Sequence, residues 1–168
     1  MVGLLDFKRI AIEHGICDKY REKWDSCKYK RDIVKIATDA QGVEFFADSI
    51  AFGWGLSKEY ILREFSAFIN GNYLVIENGY TSEMFIDTPQ ANIKPRSTIS
   101  LFAWCNCTLT LRKGFIGKIY VCGGSNITIK GEEGAKCELY VIGNDNTIKI
   151  TDVDVKRTDI TKSQWRKV

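Results

Sequence analysis

The second half of the chain alternates between apolar and polar positions in a pattern that returns every 20 residues. When residues 97–155 are written in rows of 20, similar residues fall in the same columns. The clearest columns are Ile99, Ile119 and Leu139; Leu101, Val121 and Val141; and Asn106, Asn126 and Asn146. Glycine also recurs at this spacing, at positions 114 and 134 and at 123 and 143. Self-similarity at a fixed period of this length is typical of solenoid proteins.

Each row contains two short strand patterns separated by turns. The predicted strands are Ile99–Ala103, Thr108–Leu111, Lys118–Cys122, Ile127–Lys130, Glu138–Ile142 and Thr147–Ile150. Antiparallel hairpins are the alternative, but a hairpin gives no reason for one asparagine to recur. In a parallel solenoid, equivalent residues lie about 4.8 Å apart on neighbouring coils, where asparagines bond amide to amide. The pattern therefore predicts a parallel β-solenoid of about three coils, with Asn106, Asn126 and Asn146 as a structural ladder and its handedness left open.

The two predicted strands of each coil present different surfaces to the outside. The second strand alternates, as in Thr108–Leu111, with a one-residue slip in the last coil, which indicates an outer face in contact with water. The first strand does not alternate. If Ile99, Leu101 and Ala103 point inward, the outward columns are Ser100, Tyr120 and Tyr140, and Phe102, Cys122 and Ile142. This surface is apolar and aromatic, so we expect the helical half of the chain to cover it, with a partner subunit or ligand as the alternative.

Residues 1–72 carry apolar positions three and four apart, which predicts a small bundle of five short helices. The predicted helices cover residues 4–12, a segment after Asp18 as N-cap, a segment near Asp32, residues 43–52, and a segment from Ser57 as N-cap to Asn70-Gly71. The sequence thus predicts an α+β protein, with a helical bundle followed by a parallel solenoid.

Trp54 lies between Gly53 and Gly55, in the loop after the fourth predicted helix. The tryptophan either fills the gap between two helices or offers an aromatic surface to a partner. The surrounding run, Ala47-Asp48-Ser49-Ile50-Ala51-Phe52-Gly53-Trp54-Gly55-Leu56-Ser57, then Phe65 and Phe68-Ile69-Asn70-Gly71, and then Gly79-Tyr80, resembles a segment of uncharacterised small proteins of gut Bacteroidetes and their phages. The resemblance covers under half the chain and implies a bacterial or phage origin, without a function.

Residues 73–96 join the two halves and continue the strand pattern. Tyr73–Ile86, with Asn78-Gly79 as a turn, predicts either a hairpin or an imperfect entry coil, and two prolines mark an irregular link after it. The solenoid proper is predicted over 97–155, and 156–168 is a basic tail. The tail carries a net charge of +4, whereas residues 1–80 carry −1, so the overall charge of +3 does not describe a basic face. Nucleic-acid binding beyond weak contacts of the tail is therefore not expected.

The six cysteines are expected to be free thiols that bind no metal. They contain no Cys-x-x-Cys pair, and His14 is the one histidine in the sequence. The N-terminal residues lack the basic and apolar segments of a signal peptide, and no apolar stretch is long enough to cross a bilayer. We therefore expect a cytoplasmic protein that does not insert into a membrane.

The sequence supplies no recognisable catalytic grouping. The solenoid segment has no histidine, no phosphate-binding glycine loop follows Gly123-Gly124, and Asp145, Asp152 and Asp154 lie at ordinary acidic turns. No cofactor or small molecule is indicated. Two hypotheses follow: a non-catalytic binding or scaffolding module that contacts proteins or itself through Trp54, Phe102, Tyr120 and Tyr140, or an enzyme with carboxylates in a groove between the two halves. The missing catalytic groups favour the first.

Overall fold

A computed structural model describes residues 4–29, 31–32, 36, 40–55, 57–61, 63, 74–76, 81–86 and 98–165. The chain is an α+β protein. Its helices in this part are α1 (Leu4–Glu13), α2 (Asp18–Asp25) and α3 (Ala40–Phe52). Its strands are β1 (Leu74–Ile76), β2 (Thr81–Ile86), β3 (Thr98–Ala103), β4 (Asn106–Leu111), β5 (Ile116–Cys122), β6 (Asn126–Gly131), β7 (Lys136–Ile142), β8 (Thr147–Thr151) and β9 (Asp154–Ile160).

The strands form two parallel sheets, as a β-solenoid requires. The first sheet has the order β1-β3-β5-β7-β9 and the second has the order β2-β4-β6-β8. Successive strands of the chain alternate between the sheets, so β3 to β8 build three stacked coils at the six predicted positions. Because β1 and β2 lie in different sheets and pair in parallel with β3 and β4, these two strands stack on the first coil and do not pair with each other as a hairpin.

The register between coils departs from a constant 20-residue step. In the first sheet Leu101 pairs with Tyr120, a step of 19, whereas Tyr120 pairs with Tyr140, a step of 20. The turn between the two sheets lengthens by one residue per coil, from 104–105 to 123–125 to 143–146. Strand pairing fixes only the residues within strands, so the turns absorb the difference. The columns predicted for the first sheet are therefore wrong by one residue at β3.

The same effect changes the predicted asparagine ladder. Asn106 pairs with Asn126, but Asn126 pairs with Thr147 instead of Asn146. Asn146 lies in the longer turn before β8, where its side chain accepts a hydrogen bond from the backbone N–H of Ser125 at 3.0 Å. The ladder at this column therefore joins two asparagines, and the third has a different role in the adjoining turn.

The register shift also decides which residues of β3 face inward. Phe102 is 1% exposed and belongs to the core inside the solenoid, with Leu109 and Ile119. Leu101 and Ala103 instead face outward and pack in a second core that contains residues of α3. The expectation that Leu101 and Ala103 point inward and Phe102 outward is thus reversed.

Helix α3 covers the outer face of the first sheet. Val43, Phe46 and Ala47 of the helix belong to the same buried cluster as Tyr120 and Cys122. At roughly 25 cal/mol for each Å² of apolar surface removed from water, this contact stabilises the arrangement by several kcal/mol. The sequence predicted that the helical half covers the outward apolar columns. This prediction is confirmed for Tyr120, Cys122 and Ile142, which are at most 2% exposed.

The described helices do not establish a five-helix bundle. Helices α1, α2 and α3 match three of the predicted segments, but α2 includes Asp18 as its first residue and has Cys17 as N-cap. Ser57 caps residues 58–61 as predicted, since its hydroxyl accepts the Tyr60 N–H at 3.2 Å. Most of the segment near Asp32 and the end of the fifth helix lie outside the described residues. No helix in the described part is long and apolar enough to cross a membrane.

Most of the predicted basic tail is ordered. Strand β9 pairs with β7, and the residues after it turn back onto α3. Asp48 of α3, which is 2% exposed, accepts a hydrogen bond from the Ser163 hydroxyl at 2.5 Å and from the Gln164 backbone N–H at 2.9 Å. Trp165 packs edge-on against Phe45 at 4.8 Å. Residues 166–168 lie outside the described part.

Candidate functional site

Two of the four residues predicted to bind a partner are buried inside the protein. Phe102 lies within the solenoid and Tyr120 lies under α3, and each is 1% exposed. Tyr140 is half-buried at the edge of the covered column. A partner cannot contact Phe102 or Tyr120 in this structure, because Phe102 lies inside the solenoid and residues of α3 pack over Tyr120.

Trp54 is half-buried and held by residues of the helical half. Its ring stacks on His14 with centroids 4.1 Å apart and meets Phe45 edge-on at 4.7 Å. The indole N–H donates to the Asp48 carboxylate at 2.9 Å. These contacts orient the ring as a filler between helices, the first of the two interpretations that the sequence allowed.

Tyr120 and Tyr140 stack at the margin of α3, with ring centroids 4.7 Å apart. The Tyr120 hydroxyl donates to Glu44 of α3 at 2.7 Å, and the Tyr140 hydroxyl donates to Glu138 at 2.8 Å. Lys118 pairs with Glu138 at 3.4 Å. We call these five residues the tyrosine cluster. The two stacked rings thus bring a carboxylate of the helical half, Glu44, and one of the solenoid, Glu138, into the same cluster.

The contacts within the tyrosine cluster shift the pKa values of Tyr120, Tyr140 and Glu138. Burial, followed by the hydrogen bond to Glu44, raises the pKa of Tyr120 far above its usual value. The hydrogen bond to Glu138, followed by burial, raises the pKa of Tyr140. Hydrogen bonds from Tyr140 and Lys118 lower the pKa of Glu138. These shifts move all three groups away from neutrality, whereas a general acid or base works best with a pKa near the working pH.

A shallow cavity of ≈ 280 Å³ adjoins the tyrosine cluster. Strands β5, β7 and β9 line it, and its residues are Ile116, Gly117, Lys118, Lys136, Cys137, Glu138, Asp154 and Lys156. All of these belong to the solenoid, so the cavity does not lie between the two halves. No group of His, Cys, Asp and Glu in the described residues is arranged to hold a metal ion.

The thiols are free and mostly buried. Cys105, Cys107 and Cys137 lie in the core inside the solenoid, Cys122 is buried on the outer face under α3, Cys27 is half-buried and Cys17 is exposed. Burial, reinforced by Asp154, raises the pKa of Cys137 to about 11. Burial also raises the pKa of Cys122 well above its usual value. Because the thiolate is the reactive form, these buried cysteines behave as apolar core residues and not as nucleophiles.

The C-terminal end of the solenoid is incomplete in the second sheet. The first sheet continues to β9, but the second sheet stops at β8, so no strand of the described part lies beside β8 at the level of β9. Ile148 and Ile150 pair with Ile127 and Ile129, which are 0% exposed in the core. Both therefore face the solenoid interior, yet Ile150 is 39% exposed and Ile148 is half-buried. We call the side of β8 that faces away from β6 the open edge.

The backbone of the open edge directs hydrogen-bonding groups away from β6, where none of the described strands lies. Along a β-strand, N–H and C=O groups alternate in direction from one residue to the next. Since the Thr147 N–H donates to Ser125 of the preceding coil at 2.8 Å, Thr147, Lys149 and Thr151 bond toward β6. Ile148 and Ile150 consequently direct their backbone groups to the open edge.

Strand β9 ends the first sheet differently. Arg157 and Asp159 lie on its inward face, in register with the core residues Leu139 and Val141, and two guanidinium nitrogens of Arg157 bond to Asp159 at 2.8–3.1 Å. Inward-pointing charges are a common means by which natural proteins prevent edge strands from pairing. The β8 edge carries isoleucines at the corresponding inward positions, so it lacks this protection.

The open edge was not predicted from the sequence. Thr147 to Thr151 show the apolar–polar alternation expected of a strand, but nothing in that pattern says which coil is the last in each sheet. The comparison with known proteins does not add a site: the chain matches no protein-family model, no curated protein and no solved structure.

Proposed function

We propose that this protein is a non-catalytic binding module of bacterial or phage origin, which contacts a protein partner by accepting an extended strand at the open edge of β8. The observation that carries the proposal is the exposure of Ile150, an inward-facing residue on an edge beside which no described residue forms a strand. An added strand would bond to the backbone groups of the open edge and would cover the exposed side chain of Ile150. In this mode of binding, main-chain hydrogen bonds give affinity and alternate side chains give specificity.

The contrast between the two edges at the same end supports this assignment. Arg157 and Asp159 protect β9, whereas the inward positions of β8 are apolar and fit another apolar side chain. The origin stated in the proposal rests on the resemblance of residues 47–57 to proteins of gut Bacteroidetes and their phages.

A display library of random nine-residue peptides tests the proposal with the full chain as bait. Enriched peptides are then measured against Ile150→Pro, which removes an N–H that faces the open edge without breaking a hydrogen bond to β6. Proline is tolerated at such positions of edge strands. Ile150→Val is the matched control, because it keeps the N–H and a β-branched side chain.

We expect enriched peptides to bind the wild type and Ile150→Val and to lose binding to Ile150→Pro. Ile150→Lys, which places an inward charge as in β9, is a second blocking variant should the proline variant fail to fold. Enriched peptides that bind every variant equally, or a library that yields no binder, would overturn the proposal.

An enzyme with a carboxylate site between the two halves is the second candidate, and the meeting of Glu44 with Glu138 at the tyrosine cluster favours it. Both carboxylates accept hydrogen bonds from tyrosines, whose raised pKa values keep them protonated at neutral pH. Tyr120, Tyr140 and Glu138 are therefore not poised to transfer a proton near neutrality. Hydrolytic activity that Glu44→Gln and Glu138→Gln abolish, in protein that remains folded, would favour the enzyme.

A further inference from the structure

The charges on successive coils follow a fixed direction. Four ion pairs join neighbouring coils in the described part, and they are Arg112–Glu132, Lys113–Glu133, Lys118–Glu138 and Lys136–Asp154, at 2.5–3.9 Å. In all four the basic residue lies on the earlier coil and the acidic residue on the later one. Each coil therefore contributes the basic side chains of the ion pairs that it forms with the coil after it.

Lys149 is a basic residue on β8, the last strand of the second sheet. It lies at the centre of β8, on the outer face, in register with Thr128 of the preceding coil. Its side chain is exposed and has no ion-pair partner among the described residues. By the same pattern, the acidic partner of Lys149 would lie directly opposite it on a strand added at the open edge.

We infer that the open edge selects a partner strand of alternating apolar and acidic residues, with a carboxylate opposite Lys149 and apolar side chains beside Ile148 and Ile150. This inference rests on the proposed function and specifies its partner. The apolar positions of the strand would cover the exposed side of Ile150 and complete the core, while its outward carboxylate would extend the ion-pair ladder by one step.

A second copy of the chain fits the same edge less well. The β8 sequence Thr-Ile-Lys-Ile-Thr is a palindrome, so two β8 edges pairing antiparallel would match isoleucine with isoleucine. They would also set Lys149 directly opposite Lys149 of the second copy, and like charges in that position are destabilising.

Two nine-residue peptides provide the probe, with either Thr-Ile-Glu-Ile-Thr or Thr-Ile-Lys-Ile-Thr at the centre and identical serine flanks. Both centres are palindromic, so the comparison does not depend on strand direction. Binding is measured by chemical-shift changes of the ¹⁵N-labelled full chain, which detect millimolar affinities, for the wild type and for Lys149→Glu.

We expect the glutamate peptide to bind the wild type roughly threefold to tenfold more tightly than the lysine peptide. In Lys149→Glu the order reverses, and Ile150→Pro loses both peptides. If both peptides bind equally to the wild type and to Lys149→Glu, the charge selection is wrong while strand addition stands. If neither peptide binds although library peptides bind the edge, the inferred composition is overturned and the proposed function is not. Concentration-dependent elution of the wild type as a dimer, lost in Ile150→Pro, would assign the edge to a second copy instead.

Discussion

The side-chain oxygen of Ser125 accepts a hydrogen bond from the backbone N–H of Cys105, one coil earlier, at 3.0 Å. The same hydroxyl donates to the carbonyl of Cys122 within its own turn at 2.7 Å. Asn146 repeats both contacts one coil later, since it accepts from the Ser125 N–H and donates to the Ile142 carbonyl at 2.9 Å. These contacts form a polar ladder that links three successive turns, one position before the observed column of Asn106, Asn126 and Thr147.

The polar ladder should contribute more to stability than the asparagine column formed by Asn106 and Asn126. Ser125 is 0% exposed, so Ser125→Ala leaves the buried Cys105 N–H without its acceptor, which costs about 1–3 kcal/mol, whereas the Cys122 carbonyl keeps the Trp104 N–H at 3.3 Å. Asn126→Ala is the matched control at the next residue, and we expect a change below about 0.5 kcal/mol because Asn126 is exposed. Urea denaturation of both variants measures the difference. Equal losses for the two variants would contradict this assignment.

Tyr120 should make the protein sensitive to alkali. Burial raises its pKa in the folded state, so its contribution to stability is complete below the unfolded pKa of about 10 and declines as the pH rises above it. Tyr120→Phe should therefore flatten the loss of stability above pH 10, while it costs about 1–2 kcal/mol at neutral pH through the lost bond to Glu44.

Tyr140→Phe is the comparison for this effect, because Tyr140 is less buried and should flatten the alkaline profile less. Thermal melts from pH 7 to pH 11 measure all three proteins. An alkaline profile of Tyr120→Phe that coincides with that of the wild type would show that Tyr120 ionises as freely in the folded as in the unfolded chain.

Asp48 should hold the C-terminal segment on α3. Asp48→Ala leaves the indole N–H of Trp54, the Ser163 hydroxyl and the Gln164 N–H without their acceptor, so we expect a loss of at least about 2 kcal/mol and faster proteolysis after β9. Asp18→Ala, whose carboxylate side chain is 93% exposed, is the control and should change stability by less than about 0.5 kcal/mol. Unchanged cleavage of the C-terminal segment in Asp48→Ala would argue against this anchoring role.

The thiols should differ sharply in reactivity. In the native protein at pH 8, Cys17 should react with iodoacetamide first, because it is exposed, whereas Cys122 and Cys137 should stay unmodified because burial raises their pKa values. In denaturant without reductant, all six thiols should titrate. Mass spectrometry of the labelled peptides checks the order. Early labelling of Cys122 would mean that α3 separates readily from the first sheet, and early labelling of Cys137 would mean that the solenoid core opens readily.

The sequence anticipated the solenoid because stacking imposes a repeat that survives in the residue pattern. All six predicted strands of β3 to β8 are present, and Ser57 caps a helix as expected. The register was harder to predict, because a turn can gain a residue without disturbing the strands on either side. Trp104 illustrates this: it adopts a positive φ of 56° in the shortest turn, and its ring lies so close to Gly123 that a Cβ there would come within 2.7 Å. A fixed period of 20 could not show that this turn is one residue shorter than the next.

The sequence by itself determined that the second half stacks in parallel coils and that the Tyr120 column required a cover, since both follow from the order of apolar and polar residues along the chain. The tertiary structure alone decided that α3 is that cover, that Phe102 turns inward, and that the second sheet ends at β8 with Ile150 exposed. The physical reason is that the local pattern shows which residues are apolar, whereas the lengths of the turns and the packing of neighbouring elements decide which of those residues are buried.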